Sequence, residues 1–468
     1  MTDEEILSSL SAIVSAPYCI AGDAMAPFLL DWRKQYQGTA LAVVQPANTE
    51  QVAEVVTFCA QVNISIVPQG GNTSLVGGSV PNSDGRQIVV SLSRMNKICS
   101  LDKENFTLTA QAGCILEQLQ IAAEAQDRLF PLSLGAQGSC QIGGNLGTNA
   151  GGTGVLQYGN ARDLVLGLEV VLANGKIWNG LRRLRKDNTG YKLQHLFIGA
   201  EGTLGIITAV VLKLFPRPRE VHTAMVAVAN PQAAVNLLSR LREASGDSVI
   251  TFEYMNRTSV QLALNQVPDN RDPMSPQQHY VLCEIAGGNS NGMLRQALEE
   301  TIEEAFESQE VVDAVLAESL AQAQALWRIR ETIPEAQVLA GPSVKHDVSV
   351  PVSCVPELLE RGTGLIKALV PDALVVAFGH LGDGNIHFNV NQSANDISGE
   401  FDSKLGDISA QMYTLVAELD GSFSAEHGVG QLKRDQLLAY RPEVEVEMMR
   451  RVKAALDPQG ILNPGKVL

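Results

Sequence analysis

The sequence predicts an α+β protein in two parts: a glycine-looped N-terminal domain, then a cap domain with an antiparallel sheet. Three observations carry this. Short strand-like runs alternate with amphipathic helical runs throughout. Of 41 glycines, 22 fall between Gly70 and Gly205, so glycine is concentrated where backbone must turn or approach a ligand closely. Beyond Pro216 and Pro218 the alternation continues without glycine loops, the pattern of an α+β cap.

At 468 residues the chain has room for two or three domains, and at 45% hydrophobic and 18% charged it buries a sizeable core. A formal charge of −16 argues against a phosphate-backbone binder, which needs a clustered basic surface. An anionic substrate must then be met by a local basic pocket. No apolar run approaches the ~20 residues that span a bilayer. The opening MTDEEILSSL lacks the basic, apolar and Arg-rich features of targeting segments. Seven scattered cysteines without a CxxC pair read as buried small hydrophobes of a reducing compartment. A cytoplasmic location is expected.

Taken in order, LAVVQP reads as a strand and NTEQVAEVVTFCAQV as a helix capped by Asn48 or Thr49. ISIVPQG is a second strand that delivers the chain to a loop of Gly70, Gly71, Asn72, Thr73 and Ser74. Such a loop offers many backbone N–H and hydroxyl donors and suits a pyrophosphate. QIVVSL and TLTAQAG are further strands, with ILEQLQIAAEAQ a helix. Nine glycines in the 25 residues from Gly135 to Gly159 read as backbone laid along an extended ligand, the alternative being a flexible linker. DLVLGLEVVLANG follows as a strand pair with a turn at Asn174-Gly175. Neither GxGxxG nor a P-loop occurs, which removes most of the case for a Rossmann or P-loop nucleotide fold.

PQGGNTSLVGGSVP, GAQGSCQIGGNLGTNAGG and GAEGTLGIIT, in that order, resemble the three FAD-binding stretches of the vanillyl-alcohol-oxidase-type flavoprotein superfamily. The resemblance implies a two-part FAD-binding domain over 1–218, a substrate-binding cap over 219–420, and a C-terminal segment over 421–468 returning to the FAD domain. It implies cofactor contacts from Pro68, Gln69, Gly70, Gly71, Asn72, Thr73, Ser74, Gly78 and Ser79 in the first stretch. Pro131, Gly135, Ser139, Gly143, Gly144, Gly147, Thr148, Asn149, Gly151 and Gly152 follow in the second, and Gly202, Gly205 and Ile206 in the third. Some members link FAD covalently through a histidine at the position of Asn72, which has no such nucleophile, so noncovalent FAD is expected.

Three of the seven histidines lie in AFGHLGDGNIHFNV and SAEHGVG. DALVVAFGH reads as a strand ending at His380, LGDGN as a turn, and IHFNV as the return strand, with His387 and Asn389 on one face. His380, His387 and Glu426 make a two-imidazole, one-carboxylate set that suits Zn2+, with Mn2+ or Fe2+ also fitting. The alternative is a structural His–Glu network. His427, turned away from Glu426 by backbone alternation, is left to act as a base near neutral pH.

HLGDGNIH, EHG and the terminal DPQGILNPGK resemble the D-2-hydroxyacid dehydrogenase branch of that superfamily. The resemblance implies His380, His387 and Glu426 as metal ligands, His427 as base and substrate contact, Asn389 against substrate, and Asn463 beside the flavin. It also aligns Arg330 and Lys345 with carboxylate-binding cations, while Pro334 stands where the family pattern has a threonine. The expected reaction is metal-dependent oxidation of a D-2-hydroxyacid, D-2-hydroxyglutarate or D-malate, with hydride transfer to flavin N5. The dicarboxylate preference rests on Arg330 and Lys345 sitting unpaired beside an apolar tail if the substrate were D-lactate. D-lactate or glycolate dehydrogenase is the alternative within the fold, and a zinc hydrolase with a vestigial flavin domain the alternative outside it. The reoxidant is expected to be a flavoprotein electron carrier, quinone or cytochrome, and the commonest assembly would be a homodimer.

Overall fold

A computed structural model describes residues 1–289, 291–393 and 400–468. Two compact units form. The first comprises Met1–Gly152, Gly159–Arg217 and Glu426–Leu468, and the second Thr153–Tyr158 with Pro218–Ala425. The second chain crossing therefore falls at Glu426, and the short piece Thr153–Tyr158 goes with the cap. Thr251 Oγ1 donates to the Thr153 carbonyl at 3.0 Å, and Gly382 lies against the Leu156 side chain.

The first unit holds two sheets. One has strand order Cys19–Ile20, Ala42–Val44, Gln87–Ser91, Ser65–Gln69, with the last three parallel. The crossover is the helix Thr49–Val62, whose Asn48 Oδ1 accepts the Gln51 N–H and whose Val52, Val55, Val56 and Cys59 are buried. The other sheet is antiparallel, in the order Ile98–Asp102, Thr107–Gln111, Ile206–Lys213, Val165–Val171, Ile177–Asn179. The chain returns at its C-terminus, where Asp457 caps the Ile461 and Leu462 N–H groups and Leu462 makes a parallel bridge with Ile66.

The second unit is built on an antiparallel sheet. Its order is Val311–Leu316, Glu220–Val228, His279–Gly287, Val249–Asn256, Leu374–His380, Asn385–Asn391, Ser343–Val344, with Asp347–Ser349 also paired to Asn385–Asn391. Met225, Met255, Tyr280 and Leu282 of the sheet pack against Leu326 and Ile329 of the helix Leu320–Glu331 and against Ile333 and Ala336 of the helix Ile333–Leu339. Pro334 sits in the first turn of that second helix, where its missing N–H costs nothing.

Candidate active site

In the first unit, strand Ser65–Gln69 hands the chain to the first glycine loop, and two side chains brace the loop. Asn72 donates from Nδ2 to the Leu30 carbonyl and accepts the Ser79 hydroxyl, each at 2.8 Å. Gln69 Nε2 donates to the carbonyls of Phe28 (2.9 Å) and Ser79 (2.8 Å). These polar groups are spent inside the protein, so recognition of a ligand falls to the backbone of Gly70 to Ser74. Ser74 also serves the loop, accepting the Val76 N–H at 3.4 Å.

Within the second stretch, residues Ile142–Gly147 form a short helix. Glycine disfavours a helix, but tertiary packing requires it: a Cβ on Gly143 would lie 2.7 Å from the Ala112 Cβ. Gly144 faces Gly70, whose own Cβ would be 3.5 Å from the Gly144 Cα. By contrast Gly135, Gly144 and Gly147 have no neighbour closer than 4.0 Å to a Cβ, and none takes a positive φ. Nothing in the chain itself demands glycine there, and bare backbone beside open space is what a bound dinucleotide needs. Gln141 Oε1 and Asn145 Oδ1 of this stretch, and Asn463 Oδ1 of the C-terminal segment, are buried acceptors without hydrogen-bond partners among the described residues. FAD therefore fits this unit.

Other predicted cofactor residues divide between ligand-facing and packing roles. Gly71 passes the Ser139 carbonyl, and Gly152 the Ser133 carbonyl, too closely for any Cβ. Asn149 takes φ 53° and accepts the Arg162 N–H at 2.9 Å. Thr148 bonds back into its own helix, and Ser139 to the Ala136 carbonyl. Gly202 abuts Pro68, joining the third stretch to the first. Gly205 is filled by Val170 and Phe197, Ile206 opens a buried strand, and Pro131 is buried. Asn463 donates from Nδ2 to the carbonyls of Gly78 (3.0 Å) and Glu201 (2.7 Å).

Glu426 and His427 also lie in the first unit. Glu426 Oε2 accepts the Gly152 N–H at 3.1 Å. His427 Nε2 is 3.9 Å from Glu426 Oε1, so the two side chains do not diverge as alternation implied. The segment is a bend, not a strand, and strand alternation has no hold on it.

In the second unit the hairpin Leu374–His380 to Asn385–Asn391 brings His380 and His387 together, with ring centroids 5.7 Å apart and edge-on. Glu253, directly opposite His380 across the sheet and fully buried, is a residue the sequence reading passed over. Its Oε1 binds His380 Nδ1 at 2.5 Å and its Oε2 accepts Arg330 Nε at 2.6 Å. Burial alone would push the Glu253 carboxyl up, but Arg330 and His380 outweigh it and hold it well below the usual carboxylate range. Arg330 is thus not an unpaired cation, which corrects the premise of the sequence-based substrate argument. Its Nε is taken, its guanidinium lies 4.8 Å over the Phe378 ring, and Nη1 and Nη2 make no hydrogen bond to described residues.

Asp347, the register partner of His387, places Oδ1 at 3.6 Å from His387 Nδ1 and accepts Asn385 Nδ2 at 2.9 Å. Two imidazoles and a carboxylate within this unit are the right donor chemistry for a transition-metal ion. With Nδ1 of His380 held by Glu253, a metal ion would be met by Nε2. Asn389 is buried, accepting the His346 N–H at 3.0 Å and donating to Gln337 Oε1 at 2.9 Å, so one amide hydrogen is left for a ligand. Lys345 is half-buried, two residues before Asp347. A signal for Glu253 did exist: it is the single charged residue of the strand Val249–Asn256.

Known proteins share this organisation. A family of FAD-binding domains matches residues 40–180, and the C-terminal domain of FAD linked oxidases matches residues 217–467. Solved structures with the same fold include p-cresol methylhydroxylase with substrate bound (TM-score 0.77, 17% identity, 99% of this chain and 96% of that one). Alkyldihydroxyacetonephosphate synthase is another (TM-score 0.75, 17%, covering 99% and 85%). The fold and its glycine stretches define an FAD-linked oxidoreductase.

Sequence relatives narrow the class. The mitochondrial D-2-hydroxyglutarate dehydrogenase of Arabidopsis thaliana is 40% identical over 440 residues, 94% of this chain and 77% of that protein. The enzyme of that name from Rattus norvegicus is 40% identical over 466 residues, 99% and 85%. The D-2-hydroxyglutarate–pyruvate transhydrogenase of Saccharomyces cerevisiae is 34% identical over 478 residues, 100% and 95%. The chain belongs to the FAD-linked oxidase family, in its D-2-hydroxyacid dehydrogenase branch, and is an FAD-dependent enzyme that oxidises a 2-hydroxyacid. Among the described residues no helix is long and apolar enough to cross a membrane.

Proposed function

We propose that the substrate is D-2-hydroxyglutarate, with D-malate second and D-lactate poorer, and that oxidation depends on a divalent metal held by His380, His387 and Glu426. The observation that carries the substrate reading is the state of Arg330. Glu253 neutralises it and takes Nε, which leaves the Nη1–Nη2 edge for two parallel bonds to a substrate carboxylate. Relatives about 40% identical that bear the D-2-hydroxyglutarate dehydrogenase name point the same way. Zinc is the ion favoured by the imidazole and carboxylate donors.

When bound, FAD supplies the two-electron acceptor and the metal ion the Lewis acid that acidifies the C2 hydroxyl. His427 takes the hydroxyl proton onto its imidazole. The C2–H bond breaks with its electron pair leaving as hydride, and the C–O bond becomes a carbonyl, giving the 2-oxoacid. Arg330 and Lys345 fix the carboxylate end of the substrate, and Asn389 adds its remaining N–H.

The test is kcat/KM for the three acids with wild type and Lys345→Ala. A charge-assisted bond contributes roughly 1.5–3 kcal/mol, so the dicarboxylates should lead D-lactate by one to two decades. The variant should narrow that gap. Equal turnover of D-lactate by wild type would refute the dicarboxylate reading.

A further inference from the structure

Glu201, in the third glycine stretch, does more than turn the chain. Its φ is 51°, the left-handed region that a residue with a full side chain rarely adopts. Glycine would take that backbone conformation more readily, so the side chain must justify its place. The carboxylate does so by accepting two consecutive backbone N–H groups, Val429 at Oε1 (2.7 Å) and Gly430 at Oε2 (2.8 Å). Gly428 at φ 82° and Gly430 at φ 52° curl those amides into a nest around it.

The carboxylate reaches this nest only because two glycines make room. A Cβ on Gly428 would lie 2.8 Å from Oε1, and one on Gly78 would lie 3.0 Å from Oε2. Gly78 belongs to the first FAD-binding stretch. The Glu201 backbone completes the set: its N–H donates to the Gly147 carbonyl at 2.8 Å, and its carbonyl accepts Asn463 Nδ2 at 2.7 Å. One residue is therefore bonded to the second glycine stretch, the C-terminal asparagine and the loop that begins Glu426-His427. Gly430 is fixed on its far side as well, since Gln431 donates its N–H to the Val76 carbonyl at 2.9 Å.

We propose that Glu201 is a positioning residue for the reaction, locking the 426–430 loop, and with it the His427 imidazole, in register with the flavin-binding backbone. The inference rests on the reading of His427 as the base. Glu201 acts through Val429 and Gly430 and is not itself a proton carrier. Its bonds lie two and three residues beyond His427, so their loss frees the loop without removing any group that touches substrate. Misplacing a reacting group by about 1 Å costs on the order of a hundredfold in rate.

The experiment uses holoenzyme with Glu201→Gln, Glu201→Ala and His427→Asn. Gln keeps one acceptor oxygen but turns an NH2 toward the second amide, so one bond becomes a donor–donor contact. The rate constant of anaerobic flavin reduction by D-2-hydroxyglutarate should fall about 10- to 100-fold in Glu201→Gln and further in Glu201→Ala. FAD content and the half-saturating substrate concentration should stay within twofold of wild type. A rate within twofold of wild type in Glu201→Ala would overturn the proposal. So would a loss explained wholly by weaker substrate binding.

Hydrogen exchange gives a reading independent of activity. In wild-type holoenzyme the Val429 and Gly430 amides should be protected, and in Glu201→Gln they should exchange at least tenfold faster while the strand Gln87–Ser91 is unchanged. Unaltered exchange at those two amides would overturn the proposal even if activity fell. Should His427→Asn reduce the flavin as fast as wild type, the base assignment fails instead, and the two failures are told apart.

Discussion

Replacing Glu253 by glutamine should damage either metal binding or substrate binding, because one buried carboxylate holds both His380 and Arg330. In the native protein Oε1 takes the His380 Nδ1 proton and Oε2 the Arg330 Nε proton, with no solvent on Glu253. Glutamine preserves the volume but offers one acceptor and one NH2. If the NH2 faces His380, the imidazole must accept at Nδ1 and carry its proton on Nε2, the atom needed by a metal ion. If it faces Arg330, two donors meet. Either way one charge-assisted bond of roughly 1.5–3 kcal/mol is lost, equivalent to about 10- to 150-fold in affinity. Chelator competition should show the metal dissociation constant raised by that factor, or the KM for D-2-hydroxyglutarate raised by it, with FAD content unchanged. Glu253→Ala, which strips Arg330 of its counter-charge, should cost about 3–5 kcal/mol of stability. Metal affinity and KM both within threefold of wild type in Glu253→Gln would refute this reasoning.

Three other outcomes follow from particular residues. Lys466 is buried with no hydrogen-bond partner on Nζ among the described residues, and burial first, then Arg434, lowers its pKa from 10.5 to about 8 against the opposite pull of Asp84 and Glu201. The unfolded chain binds more protons than the folded one between those values, so this lysine weakens the fold below pH 8 and the penalty fades as pH rises to 10.5. Lys466→Met should therefore stabilise flavin-free protein at pH 7 by about 3 kcal/mol, with the advantage vanishing by pH 10.5; a pH-independent difference in denaturant midpoint would contradict it. Asn72 is a brace without a linking nucleophile, so acid or heat should release all flavin into the supernatant, whereas flavin remaining on the precipitate would show a covalent bond. His380→Ala should lose the bound transition metal by elemental analysis, and metal retained at full stoichiometry would place the ion elsewhere.

Features that depend on neighbours in the chain were legible in the sequence. The helix Thr49–Val62 with its Asn48 cap, the turn at Asn174-Gly175 and the hairpin that pairs His380 with His387 all follow from local pattern. What escaped was long-range. Glu253 meets His380 across 127 residues and Glu201 meets Val429 across 228, and neither partner leaves a mark on the other's local pattern. The helix Ile142–Gly147 ran against glycine's propensity and exists because Gly143 packs on Ala112. The mutual approach of Glu426 and His427 defeated a strand rule applied to a bend. Arg330 read as an unpaired cation because its counter-ion, Glu253, lies 77 residues away on another element.

The most direct measurement is anaerobic mixing of the yellow holoenzyme with D-2-hydroxyglutarate while following flavin absorbance. Wild type should bleach to completion and release one equivalent of 2-oxoglutarate per flavin. His427→Asn, with its full complement of FAD, should bleach at least a hundredfold more slowly. An unbleached wild-type flavin, or equally fast bleaching in His427→Asn, would contradict the account.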